Sequence, residues 1–404
     1  MNVFKMAWRN VWRNTRRSLV TIGAITFALC LMVLYAGIIE GHLRALEADV
    51  VNMEVGDIQI FAPSYREDPS LYAIIKESDQ LANQLQNLGY RASPRLLGGG
   101  LSASGEFSAG VTLRGIDIQR DKTVTLVHER VEHGQWLNAS NPQGVVIGKK
   151  LAQTLNAKVG AELILLSQAA DGSMANDLYS IRGILENVGD ATDRTGVFML
   201  ASTYRELMSF PEGAHQLIVR RPEAIQLPAA LDAVSALAPT LDVKSWPQLM
   251  PTVASMLEMA EGMIGVIFTI MYLAIGILLL NAMLMAVFER IREFGVFKAL
   301  GAGPTLVFSL IFVEAMIQMS IAIALGTVLS IPGIWYLSTI GINVGALGGA
   351  SMMGLAFRSI LYGIYSPEIV APAYKILIVI VVLSVLYPAL KAAWIKPVDS
   401  MRHQ

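Results

Sequence analysis

GMIGVIFTIMYLAIGILLLNAMLMAVF (Gly262–Phe288) followed by ERIREFGVFKALGAG (Glu289–Gly303) is the stretch that decides the fold. Its first part carries no charge. A hydrocarbon core about 30 Å thick is crossed by about 20 mostly apolar residues in a helix, so this part reads as a membrane span. The second part is short and charged. A further apolar run begins near Thr305 and lasts to about Tyr336, with one acid, Glu314, inside it. Two spans joined by a tight basic loop are the core of the reading.

Working outward, two more stretches qualify. One runs from about Leu19 to Ile39; the other runs from about Tyr374 to Ala393, with Pro388 near its end. The first has a basic flank, as a signal peptide does, but no small-residue cleavage site follows it, and it reads as a retained span. Phe27 and Leu29 are too bulky for Cys30 to be an acylation site, so Cys30 reads as a buried helix cysteine. Hydrophobic residues make up 54% of the chain and charged residues 16%. Soluble domains carry roughly a quarter charged residues, so a disordered chain and an ordinary cytosolic enzyme are both excluded. A single cysteine excludes a disulfide framework, and the five histidines have no zinc spacing.

Orientation follows from Lys and Arg. Lys5, Arg9, Arg13, Arg16 and Arg17 precede the first span without an acid; Arg290, Arg292 and Lys298 lie between the second and third; Lys391, Lys396 and Arg402 close the chain. The segment from about 337 to 373 holds only Arg358 and Glu368. Both termini and the 289–304 loop are therefore expected in the cytoplasm. Residues 342–365 are apolar enough for a fifth span, but that would put a basic segment on the wrong side, and four spans are expected. Before the first span, Val3, Phe4, Ala7, Trp8, Val11 and Trp12 recur at helical spacing opposite Lys5, Arg9, Arg13 and Arg16. That pattern describes a helix lying in the headgroup layer.

Between the first and second spans the chain reads as a water-exposed α+β domain. Strands are expected at Asp57–Phe61, Gly110–Arg114, Val145–Ile147, Leu163–Leu166, Val197–Leu200 and Gln216–Val219, and helices at Ser78–Leu88, Lys149–Leu155, Thr203–Ser209 and Ile225–Leu237. The blocks 98–118 and 145–200 suggest two lobes. The apolar spans and the polar domain together predict a membrane α+β protein with one plus three transmembrane helices. Its expected parts are an amphipathic helix (1–17), a first span (18–41), the outward domain (42–260), a second span (261–288), a cytoplasmic helix (289–304), a third span (305–336), an outward loop (337–373), a fourth span (374–393) and a cytoplasmic tail (394–404).

No catalytic, cofactor-binding or metal site is legible. Gly144–Lys150 imitates a phosphate-binding loop, but the spacing is one residue short and the Ser/Thr that would hold magnesium is missing. It reads as a strand-to-helix turn, Gly98–Gly100 reads as a loop, and Asp190 with Asp193 as a polar turn. No serine or cysteine has a histidine partner in a recognisable arrangement. Glu314 needs a partner, because a carboxylate at that depth is costly alone; Arg290 and Lys298 are the candidates.

Within 289–303, Ile291, Phe294, Val296 and Phe297 make an apolar side, charges make a rim, and Gly301 and Gly303 end the helix. An apolar cluster with a charged rim is a docking surface. The segment closely resembles the ERxxEhGhhKALGA segment of the FtsX/MacB-like (type VII) permease superfamily of ABC transporters. Phe312-Val-Glu314-Ala with Gly326, the 143–200 region and the Lys396-Pro-Val-Asp-Ser-Met-Arg402 close also resemble that superfamily. The Trp8-Arg-Asn-Val-Trp-Arg-Asn start and Gly56-Asp-Ile-Gln-Ile60 look most like its lipoprotein-releasing LolC/LolE branch.

The resemblance implies a multi-pass protein of the bacterial inner membrane, and a MacB-like periplasmic domain. It implies a permease dimer, of identical or related subunits, joined to two copies of an ABC ATPase that carries the ATP and magnesium. This chain would not itself be an enzyme. Glu289, Arg290, Arg292, Glu293, Phe294, Gly295, Lys298, Ala299, Leu300 and Gly301 would form the ATPase-coupling helix, with Glu314 the polar group inside the membrane. The action implied is mechanotransmission. The cargo would be a lipoprotein or other amphiphile drawn from membrane lipid, with a periplasmic carrier or adaptor as a further partner and no nucleic acid. MacB-like export of peptides or small toxic compounds, and FtsX-like activation of a periplasmic hydrolase, are the alternatives.

Overall fold

The computed structural model describes residues 2–13, 15–186, 188–210, 212–343 and 360–394. They fall into two compact units, one holding 2–44, 257–343 and 360–394, the other 45–256. The chain begins with α1 (Val3–Arg13) and the long apolar α2 (Thr15–Val50).

The mixed domain follows as β1 (Ile58–Phe61), α3 (Ser78–Asn87), β2 (Arg91–Ser104), β3 (Phe107–Ile116), α4 (Ile118–Val124), β4 (Val131–Gly134), β5 (Gly144–Gly148), α5 (Lys149–Thr154), β6 (Glu162–Gln168), β7 (Met174–Leu185), α6 (Asp190–Thr195), β8 (Gly196–Leu200), α7 (Ala201–Leu207), β9 (Gln216–Arg220), α8 (Leu227–Leu237), β10 (Asp242–Ser245) and α9 (Trp246–Leu249). Six strands close in a ring: β2 pairs β3, β3 pairs β8, β8 pairs β5, β5 pairs β7, β7 pairs β6, and β6 returns to β2. The sheet continues from β2 through β9 and β1 to β10, covered by an apolar layer in which Leu81 and Leu85 of α3 and Ala230 and Val234 of α8 meet Ile58, Ile60, Leu217 and Val219. Closure leaves the ring without a free edge of its own; β4, paired to β7, and β10 are the terminal strands of the sheet.

The strand expectations at β1, β3, β5, β6, β8 and β9 match observed strands to within a few residues. β5 and β8 read as unbroken apolar runs because both their faces are covered. Val145 and Ile147 face one cluster with Val197 and Met199, while Val146 and Phe198 face another. Three readings change. The blocks 98–118 and 145–200 are parts of one ring, and the second lobe is the β10–β1–β9–β2 extension that shares β2 with it. Gly98–Gly100 is the middle of the longest strand, not a loop. A Cβ at Gly98 would lie 2.6 Å from the Tyr204 hydroxyl oxygen, and one at Gly100 2.7 Å from the Leu166 carbonyl oxygen, so the glycines admit close neighbours into the ring. Asp190 and Asp193 lie on α6, not in a turn.

After the domain come α10 (Pro251–Glu289), α11 (Ile291–Ala299), α12 (Pro304–Thr339), the two-residue strands β11 (Ile342–Asn343) and β12 (Ile360–Leu361), and α13 (Pro367–Trp394). Among the described residues, four helices, α2, α10, α12 and α13, are long and apolar enough to cross a membrane. Most of the segment weighed as a fifth span, together with Arg358 and the tail beyond Trp394, lies outside the described residues. The bundle core takes Leu377, Val381, Val385 and Ala389 of α13, one per turn, against Ile25 and Leu29 of α2, Leu279 and Met283 of α10 and Leu310, Ala315 and Ala322 of α12. Close approach uses small residues, as membrane helices favour: a Cβ at Gly326 would meet the Thr26 carbonyl oxygen at 3.1 Å.

Candidate functional site

The short helix α11 carries most of the candidate residues, and its ends follow from its sequence. Gly301 takes the left-handed conformation at φ +93°. The Gly301 N–H donates to the Lys298 carbonyl and the Ala302 N–H to the Phe297 carbonyl, the paired bonds of a Schellman close. Pro304 then starts α12 at a position where its missing N–H costs nothing.

Three polar links tie α11 to the bundle. Buried Arg290 donates through Nη1 to Glu314 Oε2 at 2.9 Å and through Nε to Glu293 Oε2 at 3.0 Å. Its guanidinium also lies over the Phe294 ring, 5.3 Å from the centroid. Arg13, at the end of α1, donates to both Glu293 carboxylate oxygens at 2.6 and 2.8 Å. Lys298 Nζ donates to the Ala393 carbonyl at 2.5 Å. Partial burial raises the Glu293 pKa, but hydrogen bonds from Arg13 and Arg290 outweigh it and hold the carboxyl below its ordinary range; desolvation pulls Lys298 down.

The side chains divide accordingly. Phe294 and Gly295 are buried, and Glu293, Phe297 and Lys298 are half-buried. Glu289, Arg292, Val296, Ala299, Leu300 and Gly301 are exposed. The outward apolar surface is therefore Val296 and Leu300 beside Arg292, whereas Phe294, on the apolar side read from sequence, packs into the bundle. Glu314, about three helical turns into α12, is buried on Arg290.

Two features escaped the sequence. Arg13 read as part of a basic flank and of the cationic face of the first helix, with no partner named, since that partner is 280 positions away. Along α10, Met259, Met263, Val266, Ile270, Leu273 and Ile277 alternate spacings of four and three, and each is about 60% exposed. That is the spacing of the contact residues of a left-handed helix pair, hard to see in a helix that is apolar along most of its length.

In the mixed domain, the lysines of the phosphate-loop imitation are held by carboxylates. Lys149 contacts Glu132 and Glu186 at 2.9 Å each, and Lys150 is bonded to Asp190, which Arg194 also holds. Those hydrogen bonds raise the Lys149 pKa and lower that of Asp190. Asp193 accepts from the Val188 N–H. No group of three or more metal-ligating side chains converges among the described residues.

Two family models match this architecture. The MacB-like periplasmic core domain covers residues 18–237, and the FtsX-like permease C-terminal region covers residues 265–397. The chain belongs to the FtsX/MacB-like permeases, and it is a multi-pass ABC-transporter permease of the MacB/FtsX type. Among solved structures it is similar to the periplasmic region of MacB from Actinobacillus actinomycetemcomitans, at 14% identity and TM-score 0.37, over 51% of this chain and 95% of that one. It is similar also to the extracellular domain of the noncanonic ABC-type transporter YknZ from Gram-positive bacteria, at 15% identity and TM-score 0.34, over 47% of this chain and 99% of that one. A domain of a putative permease protein from Porphyromonas gingivalis matches at 12% identity and TM-score 0.29, over 46% and 85%. A comparison with curated proteins returned no match. The assignment rests on the two family models.

Proposed function

We propose that this chain is the force-transmitting permease of an ABC transporter that draws a lipid-anchored, lipoprotein-like cargo out of the bacterial inner membrane. The observation that carries the reading is the division of α11 into two faces. One face is fastened to the bundle through Glu293, Arg290 and Lys298; the other offers Arg292, Val296 and Leu300 to solvent. A helix held that way passes a push on its outer face to α1, α12 and α13 together. The pushing partner is an ABC ATPase, in two copies, holding ATP and magnesium. The exposed seam of α10 takes a second permease subunit. In this reading both termini and α11 lie in the cytoplasm, one span precedes the periplasmic domain and three follow it, and motion of the spans is delivered to that domain.

The cargo follows from the Trp8–Asn14 start and the Gly56–Ile60 strand, which resemble the lipoprotein-releasing branch, and from energetics. An acyl chain buries about 0.8 kcal/mol per CH₂, so extraction requires coupling to hydrolysis.

The test places Val296→Asp and Leu300→Asp together in the full-length protein, expressed with its ATPase. Both side chains point outward, so the permease should stay monodisperse while the ATPase ceases to co-purify and cargo release stops. Normal co-purification and release would refute the coupling face. Stimulation of ATP turnover by peptides, or by a periplasmic hydrolase instead of lipoprotein, would refute the cargo and leave the coupling intact.

A further inference from the structure

The sequence puts Val3, Phe4, Ala7, Trp8, Val11 and Trp12 on one apolar stripe of α1, and the structure divides that stripe in two. Ala7 and Val11 are fully buried in the bundle core, with Val3 and Met6 packed beside them, where α1 meets α12. Phe4, Trp8 and Trp12, one turn apart, stay outside and exposed. The two indoles meet edge to face, with centroids 6.0 Å apart. Lys5 and Arg9 form the next stripe round the helix and are exposed as well. Arg13 continues that stripe but is committed to Glu293. Early in α2, the Ser18 hydroxyl donates to the Val11 carbonyl at 2.8 Å. Held by its buried side, by Ser18 and by Arg13, α1 cannot turn its two outer stripes inward.

What covers those stripes follows from their place and their charge. α1 is followed by α2, which is long and apolar enough to cross a membrane. Tryptophan rings settle at the headgroup level of a bilayer, so the aromatic stripe faces lipid. Lys5 and Arg9 form no ion pair among the described residues, and the first acid in the chain is Glu40, at the far end of the first span. Uncompensated cations on an interfacial helix attract anionic headgroups. A guanidinium offers a phosphate paired N–H donors, and an ammonium one turn away adds a second charge. A zwitterionic lipid brings its own cation to the phosphate and gains less. We propose that α1 binds an anionic phospholipid of the adjoining leaflet, its phosphate between Lys5 and Arg9 and its acyl chains along Phe4, Trp8 and Trp12. The surface depends on neither the cargo nor the ATPase.

The full-length protein, purified in a maltoside detergent and stripped of lipid, would be titrated with dioleoyl phosphatidylglycerol, dioleoyl phosphatidylcholine and inorganic phosphate, with bound lipid read by native mass spectrometry. Phosphatidylglycerol should bind best. Each cation beside a membrane surface is worth about fivefold, so Lys5→Gln with Arg9→Gln should weaken that binding about 25-fold. The same pair should remove most of the preference over phosphatidylcholine. Lys5→Arg with Arg9→Lys should keep both affinity and preference. Trp8→Ala with Trp12→Ala should weaken the two lipids alike and keep the preference. Lys122→Glu, in the mixed domain, should change nothing. In the wild type, where no variant has to fold, added salt should weaken phosphatidylglycerol more than phosphatidylcholine. An unchanged preference in the Gln pair, or a preference that ignores salt, overturns the site. Displacement of the lipid by inorganic phosphate at equal affinity overturns the lipid as its ligand.

Discussion

Among the described residues, each unit of the molecule buries one arginine against one carboxylate, and the two pairs are built differently. In the mixed domain, Arg95 of β2 donates through Nε to Asp121 of α4 at 2.8 Å, with side chains only 3% and 4% exposed. Thr125 closes the group, accepting from Arg95 Nη2 and donating to the other Asp121 oxygen, both at 3.1 Å. In the bundle, the Arg290–Glu314 pair is also buried, at 7% and 8%, but Arg290 also holds Glu293, whose side chain is 41% exposed, and Glu293 holds Arg13, which is 55% exposed. One group is closed and shut away from water. The other is a chain of four charges leading from the interior to the surface and joining α12, α11 and α1. A closed group fixes a structure; an open chain can exchange partners one at a time.

The largest expected effect follows from that closure. Asp121→Ala leaves the Arg95 guanidinium buried without its carboxylate, and breaking a buried pair on one side costs about 3–5 kcal/mol. Replacing both members with apolar residues of similar volume, Arg95→Met with Asp121→Leu, should recover most of that loss. Denaturant unfolding of the domain within the full-length protein measures both. If the double variant were as unstable as Asp121→Ala, the ion pair itself, not the orphaned charge, would be the stabilising element.

A smaller, pH-dependent effect also belongs to the domain. His215 is fully buried; its Nδ1 accepts from the Leu97 N–H at 3.0 Å, so the ring proton sits on Nε2, 3.2 Å from the Leu71 carbonyl oxygen. Protonating Nδ1 would set one N–H against another. Burial lowers the His215 pKa to about 4 from its ordinary 6.5. The unfolded chain therefore takes up the proton first. The stabilisation is fully present above pH 6.5 and is lost as pH falls towards 4, in total about 3 kcal/mol. His215→Gln should flatten the stability curve across that window, and an unchanged slope would move the titration to another group.

What was readable in the chain tracks this contrast. Glu314 stood out because a carboxylate inside a span must find a partner, and Arg290 lay one loop away. Asp121 and Arg95 gave no signal, since charges are ordinary in a water-exposed domain and only the fold makes them buried. The strands of apolar or alternating residues were visible. β2 was not, because Gly98–Gly100 and Pro94 weaken its local preference, and its glycines are explained only by Tyr204 and Leu166, which arrive from elsewhere in the ring. On α10 the period was written in the residues but invisible against a uniformly apolar background. It emerges once the other helices have covered the remaining sides.

The outer end of the charge chain gives the smallest effect. Arg13 is exposed and Glu293 half-buried, and pairs open to solvent contribute about 0.2–1 kcal/mol, less in high salt. A double-mutant cycle of Arg13→Ala and Glu293→Gln in the full-length protein should return a coupling in that range, shrinking as salt is raised. Its consequence should be local: amides of α11 exchange faster in Arg13→Ala while those of α12 around Glu314 do not change, since Arg290 keeps Glu314. Because Val296 and Leu300 lie on the opposite face, ATPase binding should weaken only through looser positioning of the helix. A coupling above that range that ignored salt would mean that the chain of charges is closed like the group around Asp121, and that α1 and α11 move as one piece.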